Sequence, residues 1–206
     1  MKHKPVFALI FLLFNCDDSP PDPNPPFKPA DDRVNIVELG QRINEFNLEE
    51  PVKLKGSWES FKSGAREVYP NADSLGKLYK AIEPLANSNL TIALDFSSVT
   101  GENIEDTAGG ITSYNWRKPN GRSPAICKII LPADMHRIGN YAFYQCDNLA
   151  AISFSGSAAP NISDTAFERS SNRTMNWFVP SGAQANYSSL KSQFEARGFS
   201  INILSE

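Results

Sequence analysis

The stretch Arg137-Ile138-Gly139-Asn140-Tyr141-Ala142-Phe143 returns as Asn161-Ile162-Ser163-Asp164-Thr165-Ala166-Phe167, 24 residues later at every position. Upstream, Asn103-Ile104-Glu105-Asp106-Thr107-Ala108 reads as the same cassette, with Gly109 where the phenylalanine would stand. A fixed period of about 20–50 residues is the mark of a repeat architecture. The segments before each cassette keep step with it. Phe96, Ile130 and Phe154 stand eight residues before Ile104, Ile138 and Ile162, and Leu94, Lys128 and Ile152 stand two before those. Residues 91–97, 126–131 and 151–155 therefore read as equivalent strands, in a register that sets Lys128 among apolar positions. Trp177-Phe178-Val179-Pro180 begins a fourth, with Phe178 placed 24 residues after Phe154.

One such unit cannot bury its apolar side alone. Stacked on its neighbours, it lines up the isoleucine and Ala-Phe positions into one continuous ladder. The alanine permits close approach of successive units, and the phenylalanine fills the interior. Cys146 and Leu149, at three-residue steps from Phe143, continue the inward positions of a tight helical turn.

Residues 138–149 (IGNYAFYQCDNL), preceded by Ile-Ile-Leu-Pro and followed by Ala-Ile-Ser-Phe, resemble the BspA-type leucine-rich repeat of bacterial surface proteins. Val179-Pro180-Ser181-Gly182 and the helix-like 183–196 resemble the closing unit of such arrays. The resemblance covers about residues 90–204. It implies an α/β fold built as a short leucine-rich-repeat β-solenoid, with repeats over 90–180. It also implies exposure on a bacterial surface, a role in adhesion or protein–protein contact, and no shared catalytic motif.

The flanks read as closures of the array, which repeat folds require at both ends. Val52, Leu54, Gly56 and Trp58 alternate as in a strand. Leu75, Leu78, Tyr79, Ile82 and Leu85 recur at helical spacing, with Asp73 or Ser74 as N-cap. This strand–helix–strand order, entering a parallel sheet by a right-handed crossover, makes 33–89 an N-terminal capping unit. At the other end, 181–206 reads as a helix–strand cap. Ser181 caps a helix to about Ala196 with Leu190 and Phe194 inward, Gly198 stands at its C′ position, and Phe199–Leu204 forms a last strand.

Residues 1–15 read as a secretory signal, with Lys2, His3 and Lys4 ahead of the apolar run Pro5–Phe14. That run is too short for a transmembrane helix, which needs about 20 residues. Leu13-Phe14-Asn15-Cys16 resembles a bacterial lipobox, which implies lipid attachment at Cys16. Asn15 departs from the usual Gly, Ala or Ser, and the alternative is an ordinary cleaved signal. Residues 17–32 carry six prolines in sixteen positions, so 16–32 reads as a polyproline-like tether reaching roughly 50 Å. Cys127 and Cys146 read as buried free thiols, with a bridge between them as the alternative.

The formal net charge is −3. With no basic block and no aromatic-basic interleaving, nucleic acid is excluded as the expected partner. His136 is alone once the signal is set aside, which leaves no histidine-based triad or multi-histidine metal site, and no cofactor is implied. Asp95, Glu102, Glu105 and Asp106 read as a solvated turn. The spacing from Ile104 to Ile138 is ten residues longer than the period. The excess falls in 112–124 (TSYNWRKPNGRSP), an insertion of the kind that often carries binding. Its Tyr114, Trp116, Arg117 and Arg122 are residue types favoured at interface hot spots, and they are the candidate partner-binding residues. The other reading folds those aromatics back onto the repeats.

The expected function is a non-catalytic protein-binding module of the bacterial cell envelope. It would be held to the membrane by its lipid, exposed on the outer surface, and directed at an extracellular or envelope protein. The alternatives are a structural envelope scaffold and an unrecognised hydrolase.

Overall fold

A computed structural model describes residues 32–61, 76–100, 103–104 and 125–206, except 141, 145 and 169. Its centre is a six-stranded, wholly parallel sheet of β1 (Val52–Ser57), β2 (Ile92–Thr100), β4 (Ile126–Leu131), β6 (Ala151–Phe154), β8 (Thr174–Val179) and β9 (Ser200–Ser205), ordered β1-β2-β4-β6-β8-β9. A second parallel sheet joins β3 (Asn103–Ile104), β5 (Arg137–Ile138) and β7 (Asn161–Ile162). Each cassette isoleucine therefore sits on the second sheet, and Ile104, Ile138 and Ile162 pair in sequence as the period requires. This is an α/β repeat fold.

After β5 the chain turns through successive i→i−3 bonds, from Cys146 N to Phe143 O (3.2 Å) and from Leu149 N to Cys146 O (3.2 Å). These put Ala142, Phe143, Cys146 and Leu149 inside. The next unit repeats the arrangement with Ala166, Phe167 and Ser170. Phe143 stacks on Phe167 with ring centroids 5.1 Å apart. The two turns are also stapled by polar groups. Phe143 N donates to Ala166 O (2.7 Å), and Ser170 Oγ to Cys146 O (2.9 Å). Thr165 Oγ1 donates to Asn140 Oδ1 (2.9 Å), and Asn172 Nδ2 to Leu149 O (3.0 Å). Buried backbone carbonyls that a single unit leaves open are thus satisfied by the next.

The main sheet corrects the strand register expected from sequence. Ile129 pairs with Ile152 and Leu131 with Phe154, and all four point inward. Lys128 and Ile130 face the other way and are half-buried. On β8 the inward residues are Met175, Trp177 and Val179, Trp177 pairing with Ile152, while Phe178 faces outward. The fourth strand begins at Thr174 rather than Trp177. The cause is loop length. The segment from Phe154 to Ile162 holds one residue more than that from Leu131 to Ile138, so the cassette offset does not carry over to the strands. A one-residue slip exchanges the two faces of a strand.

Ile92 pairs with Ile126 and Ala93 with Lys128, which leaves Cys127 as the extra residue of a bulge. Cys127 is disulfide-bonded, and its partner lies outside the described residues. Cys146 is a buried thiol and takes no part in that bond. Two buried free thiols were expected, or a bridge between them, and the structure has neither.

At the N-terminal end, β1 buries Val52 and Leu54. It is followed by α2 (Trp58–Phe61) and, further on, by α3 (Gly76–Asn87), where Leu78, Ile82 and Leu85 are buried as the spacing predicts. Leu75, Asp73 and Ser74 lie outside the described residues. A helix not anticipated from the sequence, α1 (Ile36–Arg42), packs against α3. Its cap is a reciprocal box. Asn35 Oδ1 accepts from the Val37 and Glu38 amides (2.9 and 3.0 Å), and Glu38 Oε2 accepts from Asn35 N (2.9 Å). The pair Asn35 and Glu38 was the available signal.

At the C-terminal end, α4 (Gln184–Glu195) buries Tyr187, Leu190 and Phe194. Ser181 does not cap it; the N-cap position is Ala183, with no side-chain hydrogen bond. Gly198, at φ +85°, donates to Glu195 O (3.0 Å), and Phe199 N donates to Phe194 O (3.2 Å). This is the Schellman arrangement with glycine at C′, and its hydrophobic contact is the Phe194–Phe199 ring pair at 5.7 Å. A single apolar core runs from Val34 to Ile201 through all these elements.

Candidate functional site

Tyr114, Trp116, Arg117 and Arg122 lie outside the described residues, as does Cys16. The described surface with the chemistry of a contact site is the outward face of the main sheet. Strand register sets that face in two rows. One runs Lys53, Asp95, Ile130, Ser153, Phe178, Leu204, and the other runs Ala93, Lys128, Ala151, Asn176, Asn202. Along each strand these side chains alternate with the core-facing ones, and on this face Ala93, Asp95, Ala151 and Ser153 are buried beneath their neighbours.

Polar and aromatic groups interlock across the rows. Lys128 Nζ lies 4.6 Å from the centroid of the Phe178 ring, a cation–π geometry. The Glu206 carboxylate accepts from Ser153 Oγ (3.0 Å) and stands 3.5 Å from Lys128 Nζ. Asn202 Nδ2 donates to Asn176 Oδ1 (3.1 Å), continuing the second row toward the sheet edge. The small side chains of Ala151 and Ser153 leave room between strands for Lys128 and Phe178 to meet.

At the first strand Lys53 forms an ion pair with Asp32. The hydrogen bond from the ammonium, followed by the carboxylate's charge, raises the Lys53 pKa. Asp95 was expected in a solvated turn. It lies instead on β2, buried, and its Oδ1 accepts from Ser97 N (2.8 Å) where the strand bulges against β1. Glu102, Glu105 and Asp106 lie outside the described residues. His136 is exposed, just ahead of β5. Among the described residues no cluster of three or more His, Cys, Asp or Glu is placed to hold a metal ion. No helix of the described residues is long and apolar enough to cross a membrane.

Lys128 and Phe178 were missed as surface residues because the expected register turned both inward. The available signal was the alternation Ile129/Leu131 and Trp177/Val179, which marks the inward positions without reference to the cassette.

Residues 122–192 match the family model described as the BspA type leucine rich repeat region, of six copies. This stretch is a BspA-type leucine-rich-repeat region. No curated protein matches the chain. Leucine-rich-repeat domains are generally protein-binding modules without catalytic activity, and BspA-type proteins are usually bacterial surface proteins. The matched stretch spans β4 to β8 and most of α4, so it contains Lys128, Ser153, Asn176 and Phe178 of the outward face, while Asn202 and Glu206 lie beyond it.

Proposed function

We propose that this chain is a non-catalytic protein-binding lipoprotein of the bacterial cell envelope, adhesive toward an extracellular or host-matrix protein. Residues 1–15 act as the signal, and 16–32 form the tether with the lipid on Cys16. Residues 33–89 cap a right-handed leucine-rich-repeat solenoid over 90–180, and 181–206 close it. The observation that carries the reading is the stacked parallel sheet, whose outward rows combine aliphatic, aromatic, amide and charged groups on one face. Aromatic groups at the centre of a polar surround are what protein interfaces use. The insertion at 112–124, with Tyr114, Trp116, Arg117 and Arg122, adds a second contact of the same composition.

The test uses the full chain carrying Cys16→Ser in pull-downs against extracellular-matrix and envelope proteins. Specific capture is expected, weakened at least tenfold by Lys128→Ala with Phe178→Ala. Absence of any captured protein at high concentration would reject the adhesive reading and leave a structural scaffold. Changing Trp116 and Arg117 to Ala with capture unaltered would remove the insertion from the contact.

Lipid attachment has its own check. Labelled palmitate is expected to enter the wild type and not Cys16→Ser. Equal palmitate labelling of both proteins would refute the anchor.

A further inference from the structure

The two edges of the main sheet are treated differently. At β1 the edge is covered, because Val34 N donates to Lys53 O and Lys55 N donates to Val34 O, both at 2.9 Å, and α1 follows at once. At β9 nothing in the described sheet lies beyond the strand. Ser200 N donates to Arg173 O and Glu206 N to Val179 O, so the even-numbered amides face β8. The N–H and C=O groups of Ile201, Ile203 and Ser205 accordingly face the open edge.

That edge lacks the devices that normally prevent strand addition, which are charge, proline, bulges and shortness. Ser200–Ser205 (SINILS) holds no charged residue and no proline. It pairs with β8 at six consecutive positions without a bulge. Leu204, on its outward side, is one of two large hydrophobic residues exposed among those described.

We infer that β9 is a homodimer interface, pairing antiparallel with β9 of a second copy about a two-fold axis at Asn202. The register is dictated by the strand itself. Centring on Asn202 sets Ile201 opposite Ile203 of the other copy. Both residues expose N–H and C=O at the edge, so each such pair exchanges two backbone hydrogen bonds. The same register keeps faces matched. Ile201 and Ile203 are on the core side in both copies, and Ser200 meets Leu204 on the outward side. Asn202 then falls at a non-hydrogen-bonded position, where the two Cα atoms approach to about 4.5 Å and side chains are in contact. An amide facing its own copy supplies both donor and acceptor, and it extends the Asn176–Asn202 ladder across the axis. A strand without charge opposes no like charges when it meets itself. The closed two-fold consumes the open edge, so assembly stops at two.

The full chain carrying Cys16→Ser, so that no acyl group contributes, is expected to sediment as a dimer. In hydrogen exchange, the Ile201 and Ile203 amides should slow as protein concentration rises. Asn202→Lys and Asn202→Asp each place like charges across the axis and are expected to be monomeric with unchanged circular dichroism. An equimolar mixture of the two should restore the dimer. A monomer at the highest soluble concentration would overturn the inference. So would a dimer unaffected by either charge, or an edge protected only by a different protein.

Discussion

Tyr187 is a residue whose burial has a measurable pH signature. Its ring is fully buried on α4, and its hydroxyl donates to Gly156 O (2.7 Å) and lies 3.1 Å from Ala158 O. Burial raises its pKa to about 12. The folded state therefore holds a proton that the unfolded chain releases near pH 10. Its contribution to stability is complete below about pH 10 and is lost as the pH rises toward 12, at up to about 1.4 kcal/mol per unit. Denaturant titrations between pH 9 and 12 should detect this loss. Tyr187→Phe is expected to flatten that slope while costing about 1–2 kcal/mol at neutral pH, because the Gly156 carbonyl loses its donor. At the repeat interior, Phe167 touches Phe143, Phe194 and Phe199. Phe167→Ala should destabilise by about 3–5 kcal/mol in urea unfolding. Ala142 is fully buried, and Ala142→Leu is expected to cost about 1–3 kcal/mol.

At the scale of elements, the ends of helices are fixed by particular residues. Asn35 and Glu38 satisfy donors at the start of α1, and Asn35→Ala should reduce stability by about 1 kcal/mol. The end of α4 depends on Gly198, whose positive φ an alanine adopts only with strain. Gly198→Ala is expected to cost roughly 1–2 kcal/mol. Both are read as shifts in denaturation midpoint at unchanged slope. The two helices were not equally visible in the sequence. The spacing of Leu190 and Phe194 and the placement of Gly198 announced α4. Tyr187 did not stand out, since its role depends on carbonyls some thirty residues away. The helix α1 was missed because only Leu39 within it is buried, so its apolar periodicity is weak.

At the scale of the molecule, each unit of the matched region presses on its neighbours through Ile, Ala and Phe positions and is tied to them by hydrogen bonds. In such an architecture stability is approximately the sum of each unit's own stability and its contacts with its neighbours. Removing the last strand should therefore propagate. Truncation after Arg197 strips the edge from β8 and uncovers Trp177 and Phe194. It is expected to lower the thermal midpoint of the entire array rather than to fray one end, and a scanning calorimeter would separate these outcomes. The same strand carries the inferred dimer. A two-fold copy would double the number of outward sheet faces per assembly, the arrangement that raises avidity without any new contact.

The sequence by itself determined the repeat, because a unit that must stack on copies of itself repeats its inward residues at a fixed spacing. It also determined the parallel α/β class. What it left open was the face of each strand. The cassette fixes where Ile138 and Ile162 lie, but a loop one residue longer separates strand from cassette in one unit, and with side chains alternating every second residue that slip reverses in from out. Only the tertiary structure placed Lys128 and Phe178 on the outer face, where they meet above Ser153. It alone placed Cys127 in a bulge, away from Cys146, because a bulge arises from the fit of two paired strands. The open edge at β9 is likewise tertiary, since a strand has an edge only once its neighbours are known.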